Sequence, residues 1–155
     1  MCSFGRPYFR EGDLRMVTYT GIGTPKPNMN EDTETFWHMM QETKKLHFQQ
    51  CACCETILHP PRPICYKCHS FDMTWVEAPT KGEIYSFAVY HRGVHPGFEL
   101  PYAVILVELE NGQRIVSNMV DCPVDEVYIG MPVEIVIEQA FEDVPLVKCK
   151  RRMEV

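Results

Sequence analysis

The hydrophobic pattern changes period twice along the chain. Residues 1–32 show no sustained period and contain Gly5, Gly12, Gly21, Gly23, Pro25 and Pro27, so they read as an irregular arm. Residues 33–48 carry Phe36, Trp37, Met40 and Leu46 as one apolar stripe, which predicts an amphipathic helix. Asn30 or Asp32 can cap it, with Glu31 and Glu34 near its positive end. The simplest use of that stripe is packing against the rest of the fold; Phe36 and Trp37 could also line a ligand groove.

From Lys81 onward the pattern alternates as strands do. GEIYSFAVYHR, PYAVILVELE, QRIVSNMV and PVEIVIEQ are short runs rich in β-branched and aromatic residues. Asn111-Gly112 separates the second and third runs and predicts a hairpin turn of type I′. Short strands with a tight hairpin and no long helix between them suggest a five-stranded OB-fold barrel over residues 81–155.

Between helix and barrel, residues 49–80 follow neither period. The stretch CACCETILHPPRPICYKC, residues 51–68, holds five of the eight cysteines. Cys51 and Cys54 form one C-x2-C, and Cys65 and Cys68 form a second after ten intervening residues. Each C-x2-C turn sets two thiolates on one side of a tight knuckle, and two facing knuckles complete a tetrahedral sulfur site. Such a site has no open position, so its metal supplies folding energy and no chemistry. Zinc is the expected ion, one per chain, with rubredoxin-like iron as the alternative. Cys53 would make an adjacent pair with Cys54, a poor chelate, and stays outside the set. His47, His59 and His69 flank the ribbon, but four thiolates already suffice.

Composition narrows the setting. No run approaches eighteen apolar residues, and MCSFGRPYFREGD has charges where the apolar centre of an export signal would lie. The chain is therefore expected in the cytoplasm, away from membranes, with its cysteines reduced. Its net charge of −6 is uneven: residues 82–147 hold two basic and eleven acidic side chains, whereas residues 44–81 hold five and three. Zinc ribbons and OB barrels often bind nucleic acid, but single-strand binders need a positive groove, and so strongly acidic a barrel argues against nucleic acid.

FW at 36–37, the first C-x2-C, PPRPIC-x2-CHS, Trp75, GEIYSFAVYHRG-x-HPGF, LPYAVILVELENG, SN at 117–118 and IGMPVEI appear in that order. Together they resemble the zinc-ribbon plus OB-fold family catalogued as domain of unknown function 35, over about residues 34–149. The resemblance implies a mainly β protein with an N-terminal helix and a rubredoxin-like ribbon ahead of the barrel. It also implies association with thiolase-like or related acyl-CoA enzymes, in which the partner performs Claisen condensation or thiolytic cleavage of a 3-oxoacyl-CoA. On this reading the chain is a non-catalytic subunit of a hetero-oligomer, two plus two with its catalytic partner. The length of the arm resembles the small subunit of a benzoylsuccinyl-CoA thiolase; accessory subunits of steroid side-chain aldolases or hydratases are the neighbouring alternative.

Acyl-CoA itself is a candidate ligand. Arg62, held between Pro61 and Pro63, is suited to an acidic partner surface or to coenzyme A phosphates. Trp37 and the loop residues His91, Arg92 and His95 complete the candidate contacts. The loop HRGVHPGFELP could also serve catalysis through His91 and His95, although turn geometry accounts for Gly93, Pro96 and Gly97 without it. One departure from the family pattern is local: Glu55 and His69 stand where glycine usually follows each knuckle and eases a positive φ.

Overall fold

The computed structural model describes residues 25–92, 95 and 97–153. The first 24 residues of the predicted arm lie outside them. Helix α1 (Glu34–Thr43) leads into a three-stranded sheet of β1 (His47–Cys51), β2 (Ile57–Leu58) and β3 (Met73–Glu77) in the order β2-β1-β3. Five strands follow: β4 (Lys81–Tyr90), β5 (Tyr102–Leu109), β6 (Arg114–Val120), β7 (Pro132–Glu138) and β8 (Leu146–Arg151). They close as β4-β5-β6-β8-β7, with β6 and β8 parallel and β4 pairing β7 to seal the barrel.

The helix is shorter than its apolar stripe predicts. Lys44 turns left-handed at φ 56° and its N–H returns to the Met40 carbonyl, ending the helix five residues before the expected limit. The residues beyond it pair instead: five partners run from His47↔Glu77 to Cys51↔Met73, and the Ala78 N–H donates to the Leu46 carbonyl. Leu46 and Phe48 stay buried, but as part of a sheet. A stripe of one apolar side chain every few residues fits either conformation, and the β3 partner decides between them. At the other end Asn30, not Asp32, organises the entry. Its side-chain oxygen accepts the Thr33 N–H and its carbonyl accepts the Glu34 N–H.

The hairpin at Asn111-Gly112 forms with different geometry. Gly112 is left-handed at φ 77°, but Asn111 is not among the positive-φ residues. The Gly112 N–H donates to the Leu109 carbonyl and the Leu109 N–H to the Gln113 carbonyl, which makes a three-residue loop with a glycine bulge in place of the two-residue type I′ turn. Asn111 contributes by accepting the Gln113 N–H on its side-chain oxygen.

Strand alternation places Ala103, Ile105, Val107 and Leu109 of β5 inside the barrel, opposite Ile84, Ile115, Val133 and Ile135. Phe36 and Met40 of α1 and Phe48 of β1 belong to the same apolar cluster, so helix and ribbon root share the barrel's core. A second, small cluster of Cys51, Leu58 and Cys65 lies farther out, with Met73 against it. The ribbon tip thus has almost no aliphatic core, and its cysteines occupy the place where one would be.

Candidate metal centre

The first knuckle opens at the end of β1, where pairing to β3 fixes Cys51; the second is carried on the loop between β2 and β3. Both are built alike. The N–H of Glu55 returns to the Cys51 carbonyl at 2.8 Å, and that of His69 returns to the Cys65 carbonyl at 2.9 Å. These two residues adopt φ of 59° and 60°, the left-handed conformation that glycine usually supplies. Two further backbone bonds lock the knuckles to the sheet: Cys51 N–H to the Thr56 carbonyl, and Ala52 N–H to the Asp72 carbonyl, both 2.9 Å.

The four thiols converge. The Sγ atoms of Cys51, Cys54, Cys65 and Cys68 all lie within 4.8 Å of one another, with cross-knuckle pairs Cys51–Cys68 at 3.4 Å and Cys54–Cys65 at 3.6 Å. Zinc–thiolate bonds of about 2.3 Å give a tetrahedron with edges of about 3.8 Å, so the arrangement fits the ion with small adjustments. Its protonation is equally telling. The Thr56 hydroxyl, 3.2 Å from Cys54 Sγ, and the Thr56 backbone bring the Cys54 thiol down to about 6. Cys68 goes the other way: the Ser70 backbone lowers it, but the neighbouring Cys51 and Cys54 sulfurs outweigh that and push it up to about 12. Four sulfurs this close cannot all ionise without a cation among them, and a divalent ion removes that conflict.

Cys53 is exposed and outside the cluster, although it stands beside Cys54. His69 is exposed on its own knuckle. His47 directs Nδ1 to the Lys45 carbonyl, and His59 packs between the rings of Phe36 and Phe48 at 5.7 and 5.2 Å.

The other candidate residues are dispersed. Arg62 is exposed, its guanidinium 5.8 Å from the Tyr66 ring centroid, while its N–H is held by Gln49 Oε1 at 2.8 Å. Trp37 turns inward, edge-on to Phe36 at 5.1 Å, with a buried Nε1 that finds no partner among the described residues. His91 and Arg92 are exposed at the end of β4. His95 spends Nδ1 on the Gly97 N–H at 3.1 Å and stands edge-on to Phe98 at 6.2 Å. Gly93 and Pro96 lie outside the described residues. Among the described loop residues it is Phe98 that reaches a groove of about 240 Å³ on the barrel, beside Val104, Val116, Asn118 and Lys148. Phe98 also stacks on Tyr102, which stacks on Tyr90.

Sequence reasoning missed two supports of the centre. Thr56, two residues past Cys54, is the group that most lowers that thiol; a hydroxyl placed so soon after a ligand was an available signal. Gln49 holds the loop before the second knuckle through Arg62, and nothing in the pattern of β1 marks it.

A paired-knuckle, four-thiol site on a short three-stranded sheet, followed by a closed five-stranded barrel, defines a zinc-ribbon plus OB-fold protein. Residues 45–74 match the rubredoxin-like zinc ribbon domain of ChsH2, and residues 75–138 match its C-terminal OB-fold domain. The chain belongs to this family, ChsH2 or DUF35. It is 47% identical over 109 residues to a probable enoyl-CoA hydratase alpha subunit of Thermomonospora curvata, covering 70% of this chain but only 34% of that protein. It is 38% identical over 111 residues to a DUF35 domain-containing scaffold protein of Methanocaldococcus jannaschii, covering 69% of this chain and 77% of the relative. Among solved structures, the Ltp2-ChsH2(DUF35) aldolase superposes with a TM-score of 0.74 at 41% identity, covering 81% of this chain and 98% of that one.

Proposed function

We propose that this chain is a non-catalytic, zinc-stapled subunit of an acyl-CoA enzyme complex. One zinc on Cys51, Cys54, Cys65 and Cys68 holds the ribbon, and a thiolase-like partner condenses or cleaves a 3-oxoacyl-CoA in a two-plus-two assembly. The observation that carries this reading is the fate of the thiols. A nucleophilic cysteine needs a base at hydrogen-bonding distance and an approach for substrate. The clustered thiols here meet one another and Thr56, and none meets a histidine or carboxylate among the described residues. The candidate loop histidines give no better site, since His95 Nδ1 accepts from the Gly97 N–H and His91 is exposed. Relatives named as a subunit and as a scaffold support the accessory role. Arg62 is the exposed cation best placed for a partner or for coenzyme A phosphates, whereas Trp37 contributes packing.

Co-expression with the neighbouring reading frames, affinity purification and sizing test this directly. A thiolase-like chain should co-purify and cleave a 3-oxoacyl-CoA, and the isolated subunit should turn over none. If no acyl-CoA enzyme co-purifies, the reading falls. The likeness to an enoyl-CoA hydratase alpha subunit favours a second partner class, and hydration of an enoyl-CoA by the same purified complex would select it.

A further inference from the structure

The two knuckles share a backbone plan but differ in what their sulfurs receive. The Thr56 carbonyl accepts the Cys51 N–H, and the Ser70 carbonyl accepts the Cys65 N–H in the same way. Cys51 and Cys65 are fully buried, whereas Cys54 and Cys68 are half-buried, so a reagent in solvent reaches the centre through the latter two. Each of these accepts a hydrogen bond from the backbone two residues on, Thr56 for Cys54 and Ser70 for Cys68. The side chains at those positions diverge. Thr56 Oγ1 lies 3.2 Å from Cys54 Sγ. Ser70 Oγ instead accepts the Asp72 N–H at 3.1 Å, and among the described residues no hydroxyl reaches Cys68 Sγ. A sulfur that ligates a metal carries no proton, so on the loaded centre the Thr56 hydroxyl is the donor. A thiolate that accepts more hydrogen bonds is less basic and a weaker nucleophile.

We propose that Cys68 is the oxidation-sensitive sulfur of the centre, the one at which a hydroperoxide reacts with the loaded ribbon, while the Thr56 hydroxyl shields Cys54. The Cys68 thiolate attacks the terminal oxygen of the hydroperoxide, and an S–O bond forms as the O–O bond breaks. The departing alkoxide takes a proton from solvent and leaves as an alcohol. Sulfur gives up two electrons to become a sulfenic acid, and the peroxide takes them. Cys51 Sγ, 3.4 Å away, then attacks that sulfur; the hydroxyl leaves with one further proton as water, and a Cys51–Cys68 disulfide closes. The centre is left with two of its four thiolates. The tip cluster it holds together contains only Leu58 besides cysteines, so the ribbon loosens as its metal is lost.

The test uses the full zinc-saturated chain with Cys53→Ser, which removes the exposed thiol beside the centre. One equivalent of cumene hydroperoxide is added, disulfide-linked peptides are mapped without reduction, and a chromogenic chelator follows released zinc. Cys51–Cys68 should be the main linkage within the four-thiol set, appearing together with zinc loss. Adding Thr56→Val removes one hydrogen bond from Cys54 and should raise the share of the other cross-knuckle linkage, Cys54–Cys65, about fivefold. Thr56→Ser keeps a hydroxyl and should retain the original distribution. Zinc content and melting temperature before treatment verify that each variant is loaded and folded, and the distribution in the parent chain is a test that needs no change at Thr56. Equal linkages, or Cys54–Cys65 as the main one in the parent chain, overturn the proposal. Zinc retained under excess hydroperoxide overturns it as well, and an unchanged distribution in loaded Thr56→Val overturns the shielding by Thr56.

Discussion

Glu55 and His69 are counterparts across the metal centre: each directly follows the second cysteine of its knuckle, sits near φ 60°, and returns its N–H to the first cysteine's carbonyl. A left-handed residue with a Cβ costs about 1–2 kcal/mol that glycine does not. Glycine gives part of this back through its freer unfolded chain. Glu55→Gly and His69→Gly should each stabilise the zinc-loaded protein by about 0.5–1 kcal/mol, read in urea unfolding, whereas Glu55→Ala and His69→Ala should give no gain. A loss of stability in both glycine variants would show that these side chains contribute something the backbone geometry does not reveal.

The cysteines should separate into two groups. Cys51→Ser or Cys65→Ser removes a ligand that is also a buried member of the small tip cluster. Metal analysis should fall from about one zinc per chain to nearly none, and the ribbon should lose protection from proteolysis. Cys53→Ser should keep full zinc and an unchanged melting temperature, because that side chain is exposed and outside the cluster. Chelation of the wild-type protein should reproduce the Cys51→Ser behaviour.

Gly82 allows β4 to approach β5. A Cβ there would collide with the Glu108 carbonyl oxygen and stand 2.9 Å from Val107 Cγ1. Because these contacts are backbone and buried core, relief requires the strands to part. Gly82→Ala should destabilise by about 1–3 kcal/mol with zinc content unchanged, which thermal unfolding of the metal-loaded protein would measure.

His59 should make stability fall on the acid side. Burial pushes its imidazole below the ordinary 6.5, among the rings of Phe36 and Phe48. As pH drops through 6.5 the unfolded chain takes up a proton more readily than the folded one, so stability is lost there, and the loss levels off below the folded pKa. His59→Phe lacks this titration and also removes a buried Nδ1 that has no partner among the described residues. Unfolding free energies of the two zinc-saturated proteins should diverge between pH 7 and pH 5 in favour of Phe. Parallel curves would mean that His59 is hydrated in the folded protein.

How much of this was legible depends on the range of the interactions concerned. The metal set needs only spacing, since each C-x2-C fixes its own knuckle, and Cys51, Cys54, Cys65 and Cys68 could be read without a fold. The barrel strands follow from period-two alternation, and the left-handed Glu55 and His69 follow from the glycine they replace. These are local or nearly local properties, which a linear sequence carries in full.

What remained hidden involves partners distant in sequence. The helix ends at Thr43 because residues 47–51 are claimed by β3, some 25 positions away. Trp37 could pack or bind from its sequence position, and its edge-on contact with Phe36 is visible only in the fold. Likewise, whether His95 was available depended on the loop that brings Gly97 to its Nδ1, and whether Tyr66 and Phe71 were buried depended on how little core the ribbon tip has. Sequence alone determined which residues could ligate, alternate or turn. Tertiary structure decided which were exposed and which were already occupied, because burial and pairing are properties of the space between elements.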